Sequence, residues 1–400
     1  GGIRLENIRE KVISLTSGLI EIYSPYFNEE EIMKYAYDWL KNNNIPVEYH
    51  RYVEKKITKF KGINLVGSIK GKEEGLKILL NGHLDTVTLS QGWTKDPFKA
   101  TIEGDRLYGL GALDMKGGSA AIMLALKAFL QNVKDFKGEI VYTLVSDEEG
   151  PYGLGTDATI LDGITEDIDL SIVTEPSSGF TDIEFPCLCL GARGGYNYKI
   201  NLYGKASHAA SPELGIDAIL DGAKLICELN KLKLKEDPQL GKGSLVVIET
   251  SGGGAACSVA EESSFTVFRH VVRGEDKDYL IKEVDEAAKK ANIKSRYEIE
   301  FREAPHEGVD GFKPYTVDEN NEFTKLFQET IKEITGTYGT IAYFSSMGDF
   351  NYLGTRTGAP TFIFGPYGQN YHSSDEWVSI DSLVKTTQVI YSILVKLLKI

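Results

Sequence analysis

Four short runs in this chain are almost continuously apolar: LKILLNGH (76–83), EIVYTLVS (139–146), DLSIVTE (169–175) and PTFIFGP (360–366). A strand with one wet face alternates polar and apolar residues. A run without that alternation must be covered on both faces, as in a parallel sheet layered with helices. Between the first two runs, GGSAAIMLALKAFLQ (117–131) is apolar nearly all round, as a helix covering such a sheet would be. Helical periodicity also opens the chain, through about residue 42. Strands alternating with helices predict an α/β layer structure with a largely parallel sheet.

The middle of the chain follows other periods. GYNYKINLYG (195–204) alternates polar and apolar, the pattern of a half-exposed antiparallel strand. Ile216, Ile219, Leu220, Ala223, Ile226 and Cys227 make one helical stripe, and Leu280, Ile281, Val284, Ala287, Ala288 and Ala291 a second. The strand-like segments SLVVIET (244–250), SFTVFRHVV (264–272) and RYEIEFRE (296–303) surround them. Two amphipathic helices on a half-exposed sheet predict a small α+β domain over 191–304. It interrupts an α/β domain formed by 1–190 and 305–400. No internal repeat is visible, and SGGGAA (251–256) is the one low-complexity patch.

Composition narrows the function. A chain of 400 residues with 42% apolar and 26% charged residues has an ordinary globular make-up and can bury a large core. Its net charge of −14 argues against nucleic acid or an anionic membrane as partner. No apolar run approaches the ~20 residues of a spanning helix. The opening GGIRLENIRE holds no apolar signal segment, and its glycines read as a tag remnant. Cys187, Cys189, Cys227 and Cys257 lack C-x-x-C spacing and do not form a disulfide framework, so a reducing, cytoplasmic setting fits.

The buried runs end in residues that bind metals. LLNGHLDTV supplies His83 and Asp85, GLGALDMKGG supplies Asp114 before a helix, and SDEEG supplies Glu148 and Glu149. VTEPSS adds Glu175 and NYHSSDE adds His372. Ligands of open α/β sheets bind beyond the carboxyl ends of the strands, so these side chains, far apart in sequence, are expected to converge. Buried acids of like charge must be paired or bound to a cation. Any one of these residues could be a satisfied core histidine or a helix cap; together they point to a metal centre. A nucleotide site is not indicated, since GLGALDMKGG has neither the phosphate-loop nor the dinucleotide spacing.

In that order, the segments H-L-D-T-V, L-D-M-K-G-G, D-E-E-G, T-E-P and H-S-S-D-E resemble the co-catalytic metallohydrolase family. That family includes acetylornithine deacetylase, succinyl-diaminopimelate desuccinylase, aminoacylase and the glutamate-releasing carboxypeptidases. The resemblance spans nearly the whole chain. It implies a zinc-peptidase-like catalytic domain with an inserted α+β lid that dimerises, and metal-dependent cleavage of an amide bond in an N-acyl amino acid or small peptide. Carried over residue by residue, it assigns His83 and Glu175 to one metal ion, Glu149 and His372 to the other, and Asp114 to the bridge. Mixed imidazole and carboxylate ligands suit zinc, with cobalt or manganese as substitutes. Two divalent ions against Asp114, Glu149, Glu175 and a bridging hydroxide make a neutral cluster. Asp85 is expected to accept the other ring N–H of His83. Glu148 remains free to act as general base, and Asp147 is read as a polar neighbour only. The same resemblance implies a cis peptide bond between Asp114 and Met115.

In the lid, His208 of GKASHAASP matches a family histidine that stabilises the oxyanion in the partner subunit's site. Arg269 matches an arginine that clamps the substrate carboxylate, as a planar guanidinium can. Phe268 and His270 stand where relatives commonly have Asp and Arg, and Cys257 stands where an Asn often contacts substrate. Gly348 and Asp349 match a loop lining the substrate pocket, and a plain turn reads equally well. These departures leave the substrate open. A dipeptidase or aminopeptidase on the same dinuclear site, and a non-catalytic metal-binding homologue, are the competing readings. The second would be signalled by loss of Glu148 or of a ligand, and none is lost.

Overall fold

The structure is a computed structural model and describes residues 7–305 and 311–400; the leading glycines lie outside the described residues. Two compact units emerge. One holds the residues up to Gly191 with Thr316–Phe344 and Gly348–Ile400; the other holds Ala192–Tyr315 with Ser345–Met347. The chain thus returns to the first unit at residue 316, where the sequence reading placed the return at 305.

In the first unit the main sheet runs Glu48–Val53, Lys61–Lys70, Lys137–Val145, Glu73–His83, Leu170–Val173, Thr361–Ile363 and Cys187–Ala192. Its four central strands, from Lys137–Val145 to Thr361–Ile363, are mutually parallel. They are the four apolar runs of the sequence. Antiparallel strands border them on both sides, which the period alone does not reveal. Ile78, Leu79 and Leu80 are wholly buried. Burial of each such side chain contributes about 1.5–3 kcal/mol.

Helix Gly117–Asn132 is buried on every side for most of its length. The closing helix Ile380–Leu398 is started by Ser379, whose side chain accepts from the Ser382 amide. It buries Ile380, Leu383, Thr387, Ile390 and Leu394, one stripe at intervals of three and four. The periodicity at the start of the chain resolves into two helices, Ile8–Ile20 and Glu30–Asn42. Among the described residues no helix is long and apolar enough to cross a membrane.

The second unit is a four-stranded antiparallel sheet in the order Ser244–Gly252, Glu262–Val271, Gly194–Tyr203, Arg296–Phe301. Tyr196, Tyr198, Ile200 and Leu202 point to one face and pack with Leu225, Leu229, Leu280 and Val284 of helices Ala218–Asn230 and Lys277–Ala291. The α+β expectation holds, and so does the stripe on the later helix. The earlier stripe is corrected. Helix Ala218–Asn230 buries Ala218, Gly222, Leu225 and Leu229, whereas Ile219 and Leu220 are 47% and 50% exposed and Ala223 and Cys227 face solvent. Both faces of this helix are apolar, and the sheet chose the other one.

Candidate metal centre

The parallel strands deliver their carboxyl ends to one place. His83 is the last residue of Glu73–His83, Asp147–Glu149 follow Lys137–Val145 after one serine, and Glu175 lies two residues beyond Leu170–Val173. Asp114 comes from the irregular turn Ala112–Lys116 before helix Gly117–Asn132, and the Asp114–Met115 peptide is cis. His372 comes from the loop between strands Gly368–Gln369 and Trp377–Ser379.

His83 Nε2 lies 3.1 Å from Asp114 Oδ1 and 3.1 Å from Glu175 Oε1. His372 Nε2 lies 2.9 Å from the other Asp114 oxygen, Oδ2, and 2.8 Å from Glu149 Oε2. One carboxylate therefore serves two donor groups, His83–Asp114–Glu175 and Asp114–Glu149–His372, each with ligand atoms within 4.8 Å of one another. Glu148 Oε2 lies 3.4 Å from His83 Nε2. Every one of these side chains is at most 11% exposed except His372, at 46%, so the cluster opens to solvent on the His372 side.

Asp349 also belongs here. Its carboxylate forms a third group with Glu148 and Glu175, within 4.8 Å, and accepts from Thr156 Oγ1 at 2.6 Å. Gly348 packs so near that a Cβ on it would stand 3.1 Å from Glu148 Oε1.

The electrostatics are those of crowded acids. Burial pushes Glu148 and Glu149 well above the usual carboxylate range, Glu175 up to about 8 and Asp349 up to about 6. Burial alone would lower His83, but the charges of Glu148 and Glu175 raise it. Burial likewise opposes the rise of His372 to about 9, and its bond to Asp114 prevails. Asp114 is pushed up by burial but held below its ordinary value by His372 and His83. Beyond the ligands in the neutral count, Asp85, Glu148 and Asp349 add carboxyls near the same cluster. Such a concentration of buried oxygen donors draws in cations or, failing them, protons. Glu175 Oε2 is buried and finds no hydrogen-bond partner among the described residues. The donor set fits two divalent ions.

A layer of hydrogen bonds supports the cluster. The Asp85 carboxylate lies beside His83 Nδ1, the ring nitrogen it is expected to serve, but a second acceptor is nearer. The closest acceptor for His83 Nδ1 is the Asp85 backbone carbonyl, at 2.8 Å, with the carboxylate at 3.4 Å. That carboxylate also accepts from the backbone amides of Glu148 (3.1 Å) and Glu149 (2.9 Å), fixing the segment that carries both acids. Asp147 is more than a polar neighbour. It is fully buried at φ 55°, its amide donates to Glu29 Oε2 at 2.7 Å, and burial pushes it up to about 8. Glu29, Thr156 and Glu376 escaped the sequence reading. Only Glu376 carried a signal, as the last residue of NYHSSDE.

Three predicted residues lie in the second unit. His208 is exposed, and its Nδ1 accepts from the Ala210 amide at 3.0 Å. Cys257 is exposed at φ 60°. Arg269 is corrected. Its guanidinium is wholly buried and donates to Glu275 at 2.5 Å and Glu283 at 3.0 and 3.1 Å, so it is engaged internally rather than offered to a substrate. Neighbouring His270 lies against Phe268 and within 3.1 Å of Ser346 Oγ.

Residues 79–396 match Peptidase family M20/M25/M40. Succinyl-diaminopimelate desuccinylases of Colwellia psychrerythraea and Psychrobacter arcticus are 29% and 30% identical to this chain over 333 and 329 residues. Those matches cover 82% and 80% of this chain and 81% and 78% of the relatives. Among solved structures, a tripeptidase from Staphylococcus aureus has the same fold, with a TM-score of 0.78 at 21% identity over 98% of both chains. With that family matched over most of its length and a dinuclear donor set at the ends of its parallel strands, the chain belongs to peptidase family M20/M25/M40, metal-dependent hydrolases of amide bonds.

Proposed function

We propose that the chain hydrolyses the amide bond of an N-acyl amino acid or short peptide, as a deacylase or carboxypeptidase, with His83 and Glu175 on one ion, Glu149 and His372 on the other, and Asp114 between them. The observation that carries this is the division of Asp114, one oxygen toward His83 and the other toward His372. Zinc suits the mixed donors, and cobalt or manganese could replace it. Two such ions would polarise the scissile carbonyl and acidify a water. Of the carboxylates left over once the ligands are assigned, Glu148, 3.4 Å from His83 Nε2, serves as the base: it takes the proton of the attacking water and returns it to the leaving nitrogen. Asp85 keeps Glu148 in place through its amide. The names of the desuccinylase relatives favour an acylated substrate. The sequestration of Arg269 favours a second reading, a dipeptidase or aminopeptidase, because the expected carboxylate clamp is engaged elsewhere. Metal analysis, followed by assays of N-acetyl, N-succinyl and N-formyl amino acids and of dipeptides with added zinc, cobalt or manganese, separates these readings. Turnover that survives complete chelation would defeat the proposal. The four free cysteines suit a reducing cytoplasm.

We also infer that the enzyme is a homodimer joined through the second unit. Edge strand Ser244–Gly252 leaves Val246 and Ile248 53% and 54% exposed. The exposed Ile219 of the neighbouring helix comes so near that a Cβ on Gly252 would meet it at 2.9 Å. Such an apolar edge invites a second copy. In that dimer His208 reaches the partner's site as an oxyanion donor. His208→Ala and Glu148→Gln chains, each nearly inactive, should then regain activity on subunit exchange. Heterodimers that stay inactive would exclude the role in trans.

A further inference from the structure

The turn that carries His372 is closed locally by the Ser373 amide on the Asn370 carbonyl at 3.1 Å and by Asn370 Nδ2 on the Asp375 carbonyl at 3.2 Å, yet its backbone is strained. Asn370, His372 and Asp375 have φ of 65°, 60° and 55°, a left-handed conformation that costs about 1–3 kcal/mol per non-glycine residue and persists only where the surroundings impose it. The loop that carries Asp114 has the complementary difficulty. From Gly111 (φ 80°) through Asp114 and Met115 it departs from helical geometry, so the amides of Gly111, Leu113 and Asp114 need acceptors from elsewhere. One buried side chain answers both. Glu376 Oε1 accepts from the Gly111 amide, and Oε2 from the amides of Leu113 and Asp114, each at 2.9 Å. The Glu376 carbonyl also accepts from the Gly109 amide at 3.0 Å. Beside it, Asp375 anchors the same turn to Thr94 and Lys95.

We propose that Glu376 is a positioning residue of the metal centre: its carboxylate ties the His372 turn to the Asp114 loop and so fixes the spacing at which both can share an ion. This rests on the dinuclear reading of the site. The hydrogen bonds of the Glu376 carboxylate go to the backbone amides of Gly111, Leu113 and Asp114, so its effect is carried by backbone. Support of this kind typically contributes 10–100-fold in metal affinity.

The test is equilibrium dialysis of zinc, and separately cobalt, against wild type and Glu376→Gln, in which an amide NH₂ replaces one of the two acceptor oxygens. The expected result is 10–100-fold weaker binding of at least one ion. Excess metal should restore kcat with KM unchanged, and the visible spectrum of the cobalt form should shift. Leu229→Ala, a core truncation in the second unit, controls for general destabilisation and should bind both ions as wild type does. Should Glu376→Gln fail to fold, Glu376→Asp, which keeps the charge but shortens the reach, is read in the same dialysis. Wild-type affinity in the Glu376 variant, or equal weakening in Leu229→Ala, overturns the role of Glu376. Fewer than two ions on wild type overturns the dinuclear reading instead.

Discussion

In the second unit, buried Glu275 and Glu283 close on the guanidinium of Arg269, and Glu275 also accepts from the Val272 amide at 2.9 Å. In the first, Asp85, Asp114, Glu148, Glu149, Glu175 and Asp349 gather around two imidazoles, with two of the acids driven far above their ordinary range by burial. Both clusters place carboxylates out of water. The first gathers six carboxylates around two imidazoles, whereas in the second a guanidinium bonds directly to both carboxylates. Buried carboxylates that a cation of the same chain already engages contribute to structure. A large buried excess of one charge, with no such cation among its neighbours, marks a site whose partner comes from outside.

The contrast is broken most strongly at Glu148. If Glu148 is the base proposed above and not a ligand, replacing it by Gln should lower turnover ~10²–10⁴-fold while metal stays bound. Turnover near wild type, or loss of metal, would show that Glu148 has been given the wrong task. Next comes Arg269→Ala, which leaves two carboxylates buried without their cation and should cost about 3–5 kcal/mol in chemical denaturation, with metal content unchanged. A variant of unaltered stability with a raised KM would restore the substrate clamp that the geometry disfavours.

A further break is a pH dependence behind the centre. Burial, with the charge of Asp85 adding to it, raises Glu29 from an ordinary 4.5 to about 9. The folded chain therefore holds this proton more tightly than the unfolded chain, and stability falls as pH rises from about 4.5 to about 9. Glu29→Gln removes that slope while keeping an acceptor for the Asp147 amide. Melting curves should nearly coincide at pH 5, with the variant the more stable at pH 9. Parallel pH profiles would mean that Glu29 is already ionised in the folded state.

Part of the centre was legible because three of the five candidate ligands sit where an apolar run stops. His83, Glu149 and Glu175 follow strands that periodicity alone identifies, and parallel strands leave their carboxyl ends together. Asp349 was read as pocket lining, but a sequence does not show that its loop returns beside Glu148. Asp85 stands beside His83 Nδ1 as alternation along a strand predicts, but alternation does not show that it also meets the Glu148 and Glu149 amides.

What the sequence determined by itself was local: which segments are strands, which helices have apolar stripes, and which strand ends carry acids and imidazoles. All of this follows from periods of 2 and 3.6 within one segment. Tertiary structure decided every choice between locally equal alternatives. Helix Ala218–Asn230 has apolar residues on two faces, and only the sheet beneath it selects Leu225 and Leu229 over Ile219 and Leu220. Arg269 could have turned outward, but Glu275 and Glu283, six and fourteen residues on, hold it inside. Glu376 reaches the Asp114 loop through backbone amides, which every residue but proline owns and no side-chain pattern displays.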